Sequence, residues 1–304
     1  MNDGADRWSG RARDFNSSVA RLRRRAVDRA VDHVLAHLAG ELDLAGLAAV
    51  SGYSPWHFQR VFREAMGESP AMFVARARVE RAVALARAEP ERAWQDIAPE
   101  VGFSAPAQLS RAFRERFGRS ARSWDRITPL TDQPMPLGGE PFDDRVGGCA
   151  VSVRLERLAP YRFAYRRISD PYRRGNLAAA WDDVAAWGST GSSAPVMIGM
   201  SWDDPATTPL EQCRYDLGIA LDPTDAPVED SSERWMPSTV AAVASVDGDI
   251  GAVSAAWEHM HRVWLPSSPR RRSALPSIER FHADPRPTWS RWRLDCILPV
   301  APHR

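Results

Sequence analysis

One stretch of this chain occurs twice, and the recurrence limits what its first part can fold into. Leu47-Ala48-Ala49-Val50-Ser51-Gly52-Tyr53-Ser54 is echoed fifty residues later by Ile97-Ala98-Pro99-Glu100-Val101-Gly102-Phe103-Ser104. With one extra residue the echo continues: Arg60-Val61-Phe62-Arg63-Glu64 against Arg111-Ala112-Phe113-Arg114-Glu115, then Gly67-Glu68-Ser69 against Gly118-Arg119-Ser120. Such an echo is expected of one helical unit present in tandem. In the first copy a short apolar helix, Leu44 to Val50, leads to Gly52, which supplies a turn. Ser54-Pro55 then starts a second helix, with a capping hydroxyl and a proline at its first position. Phe58 and Phe62 share one face; Trp56, Gln59, Arg60 and Arg63 lie on the other. A helix that turns an amide and guanidiniums outward suits the major groove of double-stranded DNA, where Gln and Arg match base edges. The second copy buries Leu109, Phe113 and Phe117 and turns out Gln108, Arg111 and Arg114, with Pro106 or Ala107 where the first has Trp56. It is expected to read fewer bases and to hold backbone phosphate.

Around these units the order is simple. Residues 1–17 are polar and lack an apolar stripe, so no secretory signal is expected there. A helix is expected from Ser18 to Leu38, with Val27, Val31, Val34, Leu35 and Leu38 on one face and Gly40 at its end. Ser69-Pro70 caps a long alanine-rich helix, Ala71 to Ala88, which has the character of a rigid connector between the copies. The second copy spans Trp94 to Asp125, and Pro99 fits its first helix only in the opening turn. Charge follows the same division. Residues 1–127 carry 21 Arg against 16 Asp and Glu, and the rest 19 against 23. A basic first part suits a polyanion and a mildly acidic second part does not.

From Thr128 to Gly148 periodicity gives way to Pro129, Pro134, Pro136, Gly138, Gly139 and Pro141, the composition of a linker. Alternation then returns in Val151, Val153 and Leu155, a strand signal. Tyr161 to Arg167 is a second strand, Leu177 to Trp187 a helix, and Val196 to Trp202 and Cys213 to Leu221 further strands. The order repeats: strand Thr239 to Val246, helix Gly251 to Leu265, closing strand Trp292 to Val300, with Trp181-Asp182 matched by Trp257-Glu258. Two β-α-β-β units side by side form an α+β domain with a pseudo-twofold cleft. Trp181, Trp187, Trp202, Trp235, Trp257, Trp264, Trp289 and Trp292 are mostly core filling; a few lining a cleft would suit a planar or cationic molecule. Arg270-Arg271-Arg272 reads as a solvated loop.

Residues 20–126 resemble the DNA-binding domain of AraC/XylS-type transcription regulators. The resemblance rests on Gly-Tyr-Ser-Pro-Trp-His-Phe-Gln-Arg-Val-Phe-Arg at 52–63, Gly-Glu-Ser-Pro at 67–70, Arg78-Val79-Glu80-Arg81-Ala82, Ile97 through Ser104, and Ser110-Arg111-Ala112-Phe113-Arg114 with Phe117-Gly118. It implies that Trp56, Gln59 and Arg60 read bases from the first recognition helix and that Ala107, Gln108 and Arg111 occupy the corresponding face of the second. Pro99 and Ala121 depart from the family pattern. Residues 150–300 resemble the GyrI-like effector-binding domain, through Asp203-Asp204-Pro205, Cys213-Arg214-Tyr215-Asp216, Trp264-Leu265-Pro266, Pro276 with Glu279 and Phe281, and Leu298-Pro299-Val300. That implies a central cleft for small aromatic or cationic molecules, with Glu279 facing the ligand and Phe281 where tyrosine is usual.

The expected fold is thus an all-α tandem helix-turn-helix domain (18–127), a linker (128–148) and a GyrI-like α+β domain with duplicated β-α-β-β (149–302). The expected function is sequence-specific transcription regulation responsive to a small aromatic or cationic ligand, not catalysis. Its expected DNA contacts are Trp56, Gln59, Arg60, Arg63, Ala107, Gln108, Arg111 and Arg114, and its expected ligand contacts Glu279, Tyr215, Trp181, Trp257 and Phe281. The alternative keeps the DNA-binding part and gives the GyrI-like domain hydrolysis or sequestration of a small electrophilic or toxic molecule, with Glu279 and Tyr215 in acid–base roles. A passive architectural DNA binder would lack a cleft. Cys149, Cys213 and Cys296 stand apart from one another and from histidines, so reduced thiols, no metal and no cofactor are expected. No run of eighteen apolar residues exists. A cytoplasmic, nucleoid-associated location is expected, with RNA polymerase as a route by which the ligand's effect could be exerted.

Overall fold

The computed structural model describes residues 3–126, 130, 151–173, 175–187, 196–205, 207–286 and 290–302, with side chains described from residue 19 onward. Most of the expected linker, Cys149 and Trp289 lie outside these residues. The chain divides into two compact units, 1–126 and 127–304.

The first unit is helical. α1 (Asp3–Ala36) starts well before Ser18. Periodicity marks only the segment that packs, where Val27, Ala30, Val31 and Val34 are buried; upstream there is no stripe to reveal the helix. α2 (Leu44–Ser51) is capped by Asp43, which accepts from the Gly46 N–H at 2.7 Å, and stops at Gly52 in the left-handed region (φ 76°). α3 (Pro55–Met66) follows an extended Ser54 whose hydroxyl makes no cap bond, contrary to the sequence expectation. Pro55 already supplies the helical φ and removes one orphan donor, so the start holds without the hydroxyl. Ser69, the other expected capping serine, does accept from Met72 N–H at 3.3 Å and opens α4 (Pro70–Ala88).

α5 (Trp94–Glu100) and α6 (Pro106–Phe117) repeat the α2–α3 pattern, joined through Gly102 (φ 92°). Pro99 sits in the last turn of α5 rather than the first. The helix is too short to continue past it, and the Val101 and Gly102 N–H groups close the end on the Ile97 and Pro99 carbonyls. Each copy has its own aromatic core. Phe62 packs on Phe58 and Phe73 at 5.4 and 5.6 Å between ring centroids; Phe113 packs on Trp94 and Trp124 at 5.5 and 5.9 Å.

The second unit holds β1 (Val153–Leu158), β2 (Tyr161–Ser169), α7 (Asn176–Trp187), β3 (Met197–Ser201), β4 (Arg214–Leu221), β5 (Ser232–Met236) and β6 (Thr239–Gly248). It continues with α8 (Ile250–His259), which passes through a π-helical turn (Met260–Trp264), then β7 (Arg270–Arg272), β8 (Ser277–Phe281) and β9 (Trp292–Pro302). One antiparallel sheet runs β1-β6-β9-β8-β3-β4-β2-β5, with β7 also on β9. The duplicated β-α-β-β order is visible in that list. β2-α7-β3-β4 and β6-α8-β8-β9 are the two copies, joined where β3 pairs with β8 and Gly199 lies opposite Glu279. The strand before each copy, β1 or β5, crosses over to edge the other copy. Arg270-Arg271-Arg272 is therefore a partly buried strand and not a loop, because its backbone has β9 to pair with.

Successive side chains alternate between the faces of the sheet. On one face Leu217, Phe281, Leu294, Cys296 and Leu298 pack with Trp181 and Val184 of α7 and Val253, Ala256 and Met260 of α8. On the other lie Phe163, Tyr165, Ile198, Met200, Ile278 and Ile297. No described helix is long and apolar enough to cross a membrane.

Candidate nucleic-acid interface and ligand cleft

The candidate interface is the outer surface of α3 and α6. Because Phe58, Val61 and Phe62 anchor α3, its opposite face turns outward. Trp56 is 76% exposed there, and Gln59, Arg60 and Arg63 are exposed beside it. Arg60 is held along the helix by Glu64 at 2.9 Å and lies 3.4 Å from His57 Nε2, while His57 packs on Tyr53. On α6, anchored by Leu109 and Phe113, the exposed set is Ala107, Gln108, Arg111 and Arg114. Gln108 Oε1 accepts from Ser104 Oγ at 3.0 Å, and Arg111 pairs with Glu115 at 2.8 Å. The eight expected residues thus fall into two exposed clusters, one per copy.

The second candidate site lies where the two β-α-β-β copies meet. Glu279, in the central strand β8, accepts a hydrogen bond from the Tyr215 hydroxyl at 2.5 Å and one from Trp257 Nε1 at 3.2 Å. Both donors are neutral. By surface area Glu279 is half-buried, yet it is so densely surrounded that burial raises its carboxyl above the usual range against both hydrogen bonds. Glu279 thus keeps some solvent access within dense surroundings. Gly199 makes the arrangement possible: a Cβ there would overlap the Tyr215 hydroxyl.

The other expected ligand residues differ in access. Trp257 is partly buried beside the carboxylate. Trp181, 1% exposed, is enclosed, edge-on to Phe281 at 4.7 Å, and Phe281 is buried too. These two form the packing behind the site, where α7 brings Trp181 onto Phe281 of β8. Sequence reasoning missed Tyr172, in the turn after β2. Burial pushes its phenol up, with the acidic groups Cys213, Glu279 and Asp203 adding to the effect. It also missed Cys296, which pairs with Glu279 across β8 and β9 and whose thiol burial pushes up. Cys213 and Cys296 are buried thiols outside any disulfide. Among the described residues no group of three or more His, Cys, Asp or Glu could hold a metal ion.

A further signal was present in the sequence. Arg214-Tyr215-Asp216 and Arg293-Leu294-Asp295 share the pattern Arg-x-Asp, and the two aspartates occupy equivalent positions in the copies, opposite Met200 and Arg280. Asp216 is fully enclosed and accepts from Arg167 Nε and Nη2 at 2.8 Å, Arg234 Nη2 at 2.7 Å and Trp202 Nε1 at 2.7 Å. Burial pushes its carboxyl up, but the two guanidiniums and the indole outweigh it and hold the group below the usual range. Asp295 is held low in the same way by Ser245 and Arg280. Arg214 pairs with Asp203, pinning the Asp203-Asp204-Pro205 turn to the strand that carries Tyr215.

Comparison with known proteins adds to this geometry. Residues 47–127 match the family described as helix-turn-helix domain, and residues 152–301 the one described as GyrI-like small molecule binding domain. The chain is similar to the SPbeta prophage-derived regulator YosT of Bacillus subtilis (strain 168), 27% identical over 43% of this chain and 89% of YosT. It is similar to the right origin-binding protein of Escherichia coli (strain K12), 31% identical over 62% of this chain and 66% of that protein. With the regulatory protein SoxS of Escherichia coli (strain K12) it is 32% identical over 28% of this chain and 78% of SoxS. The chain belongs to the AraC/XylS family of helix-turn-helix transcription regulators. It is a family member with a GyrI-like small-molecule-binding domain fused after the DNA-binding part. The Tyr215–Glu279 contact and the raised carboxyl are common to the binding reading and to the hydrolytic alternative.

Proposed function

We propose that this AraC/XylS-family regulator reads DNA sequence through residues 18–127 and responds to a small aromatic cation taken up by residues 149–302. The observation that carries the ligand reading is Glu279, a carboxylate in dense surroundings whose hydrogen bonds, among the described residues, come from neutral Tyr215 and Trp257. A carboxylate so placed is costly until a positive charge arrives, and aromatic walls favour a cation with delocalised or shielded charge. Tyr215 and Trp257 orient the carboxylate, and Trp181 and Phe281 support the wall behind it. On the DNA side Gln59 and Arg60 supply hydrogen bonds to base edges, Trp56 an apolar contact to sugar or a thymine methyl, and Arg63, Arg111 and Arg114 charge toward phosphate. Ala107 and Gln108 line the face of α6 that meets the second groove. Transmission from ligand to promoter runs through the DNA-binding pair or through contacts with RNA polymerase.

The ligand reading is tested on the full chain by titrating benzyltrimethylammonium and its neutral carbon isostere, followed by tryptophan fluorescence. The expected result is tighter binding of the cation by about tenfold or more. Equal affinities, or preference for the neutral compound, would contradict it.

A further inference from the structure

The two helix-turn-helix copies are held by more than a shared helix. Glu68 follows the glycine that ends α3, and Arg116 sits in the last turn of α6. Arg76 of α4, only 6% exposed, donates to Glu68 Oε1 from Nη2 at 2.6 Å and from Nε at 2.9 Å. It also donates from Nη1 to both oxygens of Glu80 at 3.3 Å. Glu80 Oε1 in turn accepts from Arg116 Nη2 at 2.8 Å. An unbroken chain of ion pairs therefore runs from the end of one recognition helix, across α4, to the end of the other.

Arg78 makes a second tie. Its Nε donates to the Leu38 carbonyl at 2.9 Å and its Nη2 to the Gly40 carbonyl at 2.7 Å, both just past α1. The same guanidinium lies over the Phe103 ring and against Gly102, where a Cβ would overlap the Leu38 carbonyl and lie 2.7 Å from Arg78 Nε. The turn of the second copy is thus seated on the end of the first copy's supporting helix.

We propose that Arg76, Glu80 and Arg78 are positioning residues that fix the distance and phase between α3 and α6, and so the number of base pairs between the two half-sites this regulator accepts. The inference rests on the reading that both helices dock in grooves. Forked guanidinium contacts are directional, so they restrict rotation of α6 about the connector as well as its distance. The 19 residues of α4 span about 28 Å, close to the ~34 Å turn of duplex DNA. A single added base pair displaces the second half-site by about 3.4 Å and rotates it by about 35°, more than a clamped pair can follow.

The test joins the two half-sites selected by the wild-type chain with spacers from two base pairs shorter to two longer. Binding by the full-length protein is read by fluorescence anisotropy at fixed salt for wild type, Arg78→Met, Glu80→Gln and Arg116→Met. Arg116 is less enclosed than Arg76, with 16% of its side-chain surface exposed against 5%, so its variant remains informative if a more buried change prevents folding, which circular dichroism reports. The wild type is expected to lose about tenfold or more for a one-base-pair change. The variants are expected to flatten that profile to within about threefold, with base preferences inside each half-site unchanged. Variants that lose affinity equally at every spacing, keeping the wild-type profile, would overturn the inference and leave the residues a purely structural role. A wild type indifferent to spacing would overturn the two-groove reading on which the inference rests, and the inference with it.

Discussion

In the Glu279→Gln variant, affinity for an aromatic cation is expected to fall by about 30-fold or more, a loss of about 2 kcal/mol or more, while a neutral isostere binds as before. The substitution keeps the shape and an acceptor for Tyr215 and Trp257 but removes the charge. The empty protein should respond in the opposite direction. Burial raises the Glu279 carboxyl in the folded state, so the folded chain binds a proton more readily there than the unfolded chain. Stability from this group is fully present below the unfolded pKa near 4.5 and is lost as pH rises through the folded value. Glu279→Gln abolishes that loss. Melting curves of the two proteins are expected to converge in acid and diverge toward neutral pH, with the variant the more stable. Cation affinity of the wild type should rise over the same interval, because the ligand selects the ionised form. Identical pH dependence of the two proteins would contradict this assignment.

The other large effect is expected at Asp216, away from both candidate binding sites. Asp216→Ala should destabilise the second unit by about 3–5 kcal/mol, because Arg167 and Arg234 would keep their positive charges in enclosed positions without the carboxylate between them. Arg234 also stacks between Tyr165 and Trp202, both at 4.4 Å, so the loss should spread into the aromatic packing on that face. The equivalent change, Asp295→Ala, is expected to cost less, since its partners Arg280 and Arg154 remain 26% and 49% exposed and can rehydrate. Urea unfolding of the full-length protein, monitored by tryptophan fluorescence, measures both. Equal and small losses would contradict the difference in enclosure.

Local features carried the first unit into view. The repeated glycine turns and phenylalanines four apart are short-range demands, and the structure places Gly52 and Gly102 in the left-handed region with Phe58, Phe62 and Phe113 buried. What escaped the sequence depended on partners far along the chain. β5 and β7 are short strands that exist because β2 and β9 have edges to offer them. The ties from Arg76 and Arg78 reach residues 8 and 40 positions away and carry no periodic signature. In the candidate cleft, Glu279 and Tyr215 were found through family resemblance and Trp257 through the duplicated order, and the three do converge. Trp181 was grouped with them by its place in the duplicated order, but that order fixes the side of the sheet and not access to solvent. Tyr172 was missed because a single tyrosine in a turn has no pattern, and the Arg-x-Asp repeat because two identical residues in a triplet are visible only once β4 and β9 are known to be equivalent.

The most direct test of the account is a selection of DNA sequences bound by the full-length protein at fixed salt, repeated with Trp56→Ala and Arg60→Ala. The predicted result is a discrete motif of about twenty base pairs, from which each variant loses preference at its own positions by about tenfold while the rest of the motif persists. Weak binding to all sequences alike, unchanged by either substitution, would contradict the claim that α3 reads base sequence.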